Sequence, residues 1–167
     1  VKKPPGIRRA ILRIGVMNPL TGWPPDPSKI PFNMHDVIYP IFDDRDFFEM
    51  KPDFAKNMIT GFARLGGRPV GVVANQPRQL GGIIDIKAAE KAARFVRFCD
   101  AFNIPIITLL DSPAYQIGKK MERAGMIYKG AKLLHAYAQA TVPLITVIVR
   151  KAYAGAYIAM GSQYIGA

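Results

Sequence analysis

From Asp46 onward the apolar positions form runs whose period switches between that of a strand and that of a helix. Asp46–Lys51, with Phe47, Phe48 and Met50 apolar, and Met58–Leu65 predict an antiparallel pair of strands. Gly66-Gly67, inside Arg64–Arg68, predicts a tight turn into Pro69–Ala74, so that a hairpin follows. Over Ile86–Phe102 the residues Ala89, Ala92, Ala93, Val96 and Cys99 recur at helical spacing. That pattern predicts a helix buried along this face, with Lys87, Lys91 and Arg94 on the solvated face and Arg97 nearby. Ile104–Leu110 is an unbroken apolar run ended by Asp111-Ser112-Pro113. Lys120–Gln139 reads as a helix with Ile127, Ala131, Leu134 and Ala138 inward. Val142–Val149 is a second unbroken run, and Ala154–Ser162 starts a third helix. Continuous apolar strands alternating with helices predict an α/β fold whose parallel sheet is covered on both faces.

The start of the chain departs from this pattern. Pro4, Pro5, Pro19, Pro24, Pro25, Pro27 and Pro31 are too dense for regular structure, which predicts an arm carrying the single tryptophan, Trp23. Met34–Phe42 predicts a short helix with Asn33 as its N-cap. At the other end, Ser162–Ala167 reads like the lead-in to a further strand, so a fragment of a longer chain is expected.

Composition narrows the class. Half of the 167 residues are apolar and 21% are charged, which excludes disorder, collagen and a coiled coil. The apolar runs are far shorter than the roughly 18 residues a bilayer span needs. No charged-apolar-small leader opens the sequence, so export is not expected. Cys99 is the only cysteine, which forbids an internal disulfide and a cysteine-cluster zinc site; it is expected as a buried helix residue in a reducing compartment. The formal net charge is +11, and it is unevenly spread. Residues 26–53 carry seven acids and three bases, whereas from Lys56 onward there are fifteen bases and five acids. Such a field attracts polyanions, whether nucleic acid or phosphorylated small molecules.

Side-chain catalysis finds little support. Neither a G-x-G-x-x-G, a P-loop nor an H-x-x-x-H pair is present. His35 and His135 lie a hundred residues apart, and Ser112 and Ser162 lack a nucleophile-elbow context. Lys119-Lys120-Met121 lacks the hairpin-tip setting of a biotin acceptor. Two segments instead suit backbone chemistry: Asp111–Gly118 and Arg150–Tyr157 each pass from a buried strand through small residues into a helix. The first N–H groups of a helix have no internal partner and lie at its positive end. Those of Gly155 and Ala156 can hold a developing oxyanion. The alternative is a close helix–strand contact that needs small residues, and the pattern alone leaves both open.

Longer stretches add a resemblance. Pro52–Arg64, Gly67–Pro77, Ala92–Pro105, Gly130–Leu134, Ala140–Pro143 and Arg150–Tyr153 with Gly155-Ala156-Tyr157 closely resemble, in this order, the carboxyltransferase (beta) subunits of biotin-dependent acyl-CoA carboxylases. The match is to the propionyl-CoA or acetyl/propionyl-CoA type. It runs from about Phe47 to the end and, more loosely, from Pro31. The resemblance implies a crotonase-like (ClpP/crotonase) spiral fold, incomplete at the C-terminus. Residues 1–46 are then an arm and interdomain linker, and 47–167 the front part of the C-terminal, biotin-side domain. The implied reaction moves a carboxyl group from carboxybiotin, held covalently on a carrier protein, to a short-chain acyl-CoA.

In such subunits the active site lies between the first domain of one subunit and the second domain of another, in a ring-shaped oligomer. The resemblance places the biotin-side oxyanion hole at the N–H groups of Gly155 and Ala156. Ala114, Tyr115, Gly118, Tyr153, Tyr157 and Ile158 are implied to contact biotin or substrate. Backbone donors would stabilise the negative ureido oxygen as carbon dioxide leaves, and the ureido nitrogen would take the α-proton of the acyl-CoA. The implied partners are the biotin carboxyl carrier, biotin carboxylase and further copies of the subunit. Neither nucleic acid nor membrane insertion is implied, and the location is cytoplasmic, or the mitochondrial matrix in a eukaryote. Other readings are the carboxyltransferase of a sodium-pumping methylmalonyl-CoA decarboxylase and a non-catalytic assembly domain of the same fold. The family loop usually reads Pro-Gly-(Phe/Tyr)-x-Pro-Gly, whereas Ala114 and Ile117 depart from it here, and Ala154 replaces a frequent glycine. If the family glycine takes positive φ, the loop at Ala114 must differ.

Overall fold

A computed structural model describes residues 30–166. The arm carrying Trp23 lies outside them. Five strands form one sheet in the order β1-β2-β3-β4-β5: β1 (Phe47–Glu49), β2 (Met58–Leu65), β3 (Arg68–Asn75), β4 (Ile106–Ser112) and β5 (Leu144–Ala152). β1, β2 and β3 are antiparallel neighbours, and β3, β4 and β5 are parallel, so the sheet is mixed rather than wholly parallel. The reason is local. The β2–β3 turn is two glycines at positive φ (Gly66 +59°, Gly67 +75°), a conformation that lets a right-twisted hairpin close in two residues. Asp43 holds this turn, its carboxylate accepting the N–H groups of Gly66 at 3.0 Å and Gly67 at 2.7 Å.

The parallel strands are joined by helices. α2 (Ile86–Ala101) links β3 to β4, and α4 (Met126–Gln139) precedes β5. Asp85 caps α2 by accepting the Ala88 N–H at 2.8 Å, leaving fewer orphan donors at its start. The expected stripe of Ala89, Ala92, Ala93, Val96 and Cys99 is buried. Burial pushes the Cys99 thiol up to about 12, so it stays protonated in the core. Along β4 the side chains alternate: Ile106 and Leu110 join the core under α2, α4 and α5 (Ala154–Ala159), whereas Ile107 and Leu109 join the core under α1 (His35–Ile41). β4 is therefore covered on both faces.

Several expectations change. Lys91 is not on a solvated face; it is 4% exposed, with Nζ donating to the carbonyls of Phe54 at 2.8 Å and Met58 at 2.7 Å. Its alkyl stem follows the buried face while the ammonium finds backbone acceptors. Met34, not Asn33, is the N-cap of α1, although Asn33 Oδ1 still accepts the His35 N–H at 3.3 Å. Asp111 and Ser112 do not end the apolar run but continue β4, both fully buried. The helix expected over Lys120–Gln139 is broken into α3 (Lys119–Arg123) and α4, because Gly125 between them takes φ +87°. The inner face of α4 is Met126, Gly130, Leu133, Ala136 and Tyr137, one position away from the stripe expected. Among the described residues β5 pairs only with β4, and Ile145 and Ile148 remain about half exposed.

Candidate active site

β4 and β5 end side by side, where Ser112 pairs with Ala152 after an irregularity in the ladder. Each chain then turns outward. The segment after β4 is held by Ile84, whose N–H donates to the Ala114 carbonyl at 3.0 Å and whose carbonyl accepts the Gln116 N–H at 2.9 Å. This fixes Tyr115. Its hydroxyl donates to the Gly130 carbonyl at 3.2 Å, and its ring lies where a Cβ on Gly130 would meet it at 3.1 Å. Glycine at 130 is therefore what lets the ring lie against α4. Burial pushes the Tyr115 hydroxyl well above the usual phenol range, so it remains a neutral donor.

After β5 the chain enters α5 through Tyr153, whose N–H donates to the Ser112 carbonyl at 3.4 Å. Ala154 takes φ +47°, in the left-handed region that costs an L-residue of this kind about 1–2 kcal/mol. Ala114, by contrast, keeps negative φ. The next two amides are those of Gly155 and Ala156. Neither the Gly155 nor the Ala156 N–H has a hydrogen-bond acceptor among the described residues. Ala156 is fully buried, and a buried N–H without an acceptor is rare in a finished fold.

Upstream, the end of β5 is pinned electrostatically. The buried Asp111 carboxylate accepts from Arg150 Nε at 3.3 Å, Arg150 Nη2 at 2.9 Å and the Lys151 N–H at 2.9 Å. The same guanidinium lies 4.7 Å from the Phe32 ring and donates to the Ile30 carbonyl at 3.1 Å. Gly155 opens onto a mostly apolar cavity of about 420 Å³, walled also by Tyr115, Ile117, Ile127, Leu134 and Ile158 among others. Its polar contributors are Gln116 and Glu122.

Of the expected site residues, Tyr115, Gly155 and Ile158 meet on this cavity. Ala156 sits directly behind it in the core. Ala114, Gly118, Tyr153 and Tyr157 do not line it: Ala114 is tied to Ile84, Gly118 caps α3, Tyr153 is 57% exposed, and Tyr157 packs on the core. The sequence reading missed the α4 wall. Ile127, Ala131 and Leu134 were read as an inner face, and they face this cavity instead, Ile127 being 80% exposed. Their apolar spacing was the available signal, assigned to the wrong neighbour.

The carboxyl transferase domain family matches residues 11–167. The chain belongs to this family. It is 58% identical over 143 residues to the propionyl-CoA carboxylase beta chain of Saccharopolyspora erythraea, covering 86% of this chain and 26% of that one. It is 56% identical over 142 residues to the biotin-dependent acetyl-/propionyl-coenzyme A carboxylase beta5 subunit of Mycobacterium tuberculosis, covering 85% and 26%. A crystal structure of transcarboxylase 12S, described as a hexamer assembly with methylmalonyl-coenzyme A and methylmalonic acid bound, superposes with a TM-score of 0.81 at 50% identity, over 83% of this chain and 27% of that one. The fold is the α/β crotonase-like fold of carboxyltransferase subunits. The chain spans about a quarter of the length of these relatives. Among the described residues no helix is long and apolar enough to cross a membrane.

Proposed function

We propose that this chain is the biotin-side part of a carboxyltransferase that moves a carboxyl group from carboxybiotin on a carrier protein to a short-chain acyl-CoA such as propionyl-CoA or acetyl-CoA. The observation that carries the reading is the pair of acceptor-free N–H groups on Gly155, which lines an apolar cavity, and on Ala156, buried directly behind it. Carboxybiotin, when bound, supplies an activated carboxyl group and a ureido oxygen that gains negative charge as that group leaves. The residues present fit such a group. An apolar wall from Tyr115, Leu134 and Ile158 suits its hydrocarbon parts, and the two amides suit an oxyanion.

Each residue then has a defined task. Gly155 and Ala156 offer fixed donors that need no proton transfer. Tyr115 and Ile158 shape the wall and exclude water. Asp111 and Arg150 hold the end of β5, so the donors are oriented before a ligand arrives. Residues 47–167 are read as the front of the biotin-side domain and 1–46 as the segment leading into it. The partners proposed are the biotin carboxyl carrier, biotin carboxylase and further copies of the subunit in a ring. The location proposed is the cytoplasm, or the mitochondrial matrix in a eukaryote.

The test is Gly155→Pro, which deletes one donor. In the intact protein carrying this chain, carboxyl transfer from carboxybiotin to propionyl-CoA should fall about 100- to 1,000-fold with the oligomer unchanged. Near-normal turnover in that variant would remove the oxyanion assignment.

A further inference from the structure

Adjoining the apolar cavity across Ala131, which lines both, α2 and α4 enclose a second, polar groove of about 540 Å³. Arg94 and Arg97 line it from α2, and Lys132 and His135 from α4, each pair three residues apart and therefore on one helix face. Ala93 and Ala131 lie between the two rows, and these small side chains give the groove depth without filling it. Both helices are anchored through the core beneath, by Ala92 and Val96 on α2 and Leu133 and Tyr137 on α4. The cations are thus carried on rigid elements.

Their charge is not balanced. Among the described residues Glu90 is the one acid lining the groove, and it is engaged with Lys132 at 3.5 Å. Arg94, Arg97 and His135 have no hydrogen bond, ion pair or ring contact among the described residues. Like charges at this spacing repel and slightly destabilise a helix, as Arg94 and Arg97 do here, and Lys132 faces them across the groove. Among the described residues, three permanent cations against one carboxylate leave two uncompensated charges.

We propose that this groove binds the phosphate group of a small organic phosphate, a site independent of the biotin-side reading. A phosphate monoester carries close to two negative charges near neutral pH, which matches the excess, and its oxygens suit the forked donors of two arginines. A single carboxylate would leave half the charge unmatched. A polynucleotide needs cations strung along a strip, whereas these converge on one cavity. Tyr128, exposed at the rim with Lys132 Nζ 5.4 Å from its ring centroid, offers a flat surface to the organic part.

The experiment is calorimetric titration of the intact protein carrying this chain with inorganic phosphate and with adenosine monophosphate. The Arg94→Gln/Arg97→Gln variant is compared with Lys119→Gln/Lys120→Gln, which removes two exposed cations outside the groove. Saturable binding that weakens about tenfold or more in the arginine variant and less than about twofold in the lysine variant, with both melting like the parent, supports the site. Adenosine monophosphate binding more tightly than inorganic phosphate assigns the organic part to the groove as well. Absence of saturable binding, or equal weakening in the two variants, overturns the proposal in favour of a diffuse positive field. Unchanged phosphate binding with dissociation of the oligomer in the arginine variant also overturns it, assigning the groove to an acidic surface of another subunit.

Discussion

Lys91 shows how much one side chain can hide from a sequence pattern. It lies among polar neighbours on α2, yet its ammonium reaches back to two carbonyls, that of Phe54 in the segment leading into β2 and that of Met58 at its start. Burial lowers its pKa from 10.5 to about 8, with the charge of Glu49 opposing that shift and that of Lys51 reinforcing it. Between these two values the unfolded chain binds more protons than the folded one, so this residue makes stability rise with pH through that window. Lys91→Met should cost about 1–3 kcal/mol at pH 7, because both carbonyls lose their donor. The deficit should widen as pH climbs from 8 toward 10.5, since only the parent sheds the penalty of a buried charge. Denaturant unfolding of both proteins at pH 7.5 and pH 9.5 reads this directly; a deficit that stays constant or shrinks would exclude the assignment.

At the scale of elements, legibility depended on whether a neighbour was implied by the pattern. The hairpin was visible because Gly66-Gly67 states its own geometry, and α2 was visible because its small-residue stripe has one plausible destination. The stripe on α4 had two, a core and a cavity, and periodicity cannot separate them; only the path of Tyr115 across Gly130 decides. The packing of α2 on β3 gives a sharper test. A Cβ on Gly71 would come within 2.5 Å of Cys99 Sγ and 3.2 Å of Phe95 Cε1. Gly71→Ala should therefore destabilise the protein by about 1–3 kcal/mol. Cys99→Ala vacates the volume that the new methyl needs, so the double variant should be more stable than the sum of the single losses predicts. Denaturant midpoints of the four proteins measure the coupling, and additivity within about 0.5 kcal/mol would mean that sulfur is not the obstacle.

Across the whole molecule, one buried ion pair joins parts of the chain that no local pattern connects. Arg150, on β5, reaches Asp111 on β4, the Ile30 carbonyl and the Phe32 ring, while Asp111 also accepts the Lys151 N–H. Asp111 had been read as the end of a strand and Arg150 as the approach to a helix. Their partnership spans 39 residues and needs the sheet to exist first. The same pair secures the ground ahead of Gly155 and seats the first described residues on the sheet. Asp111→Asn should cost about 3–5 kcal/mol, because a nearly buried guanidinium loses its counter-charge. The Asp111→Asn/Arg150→Met double variant should cost less than the two single changes together, since no buried charge is then left alone. Hydrogen exchange carries the distinction to the level of the fold. In Arg150→Met the amides of Val37 and Ile38 should exchange faster than in the parent, because the segment bearing them loses one of its anchors to β5. Unaltered protection there, alongside the expected loss of stability, would confine the role of the pair to the β4–β5 junction.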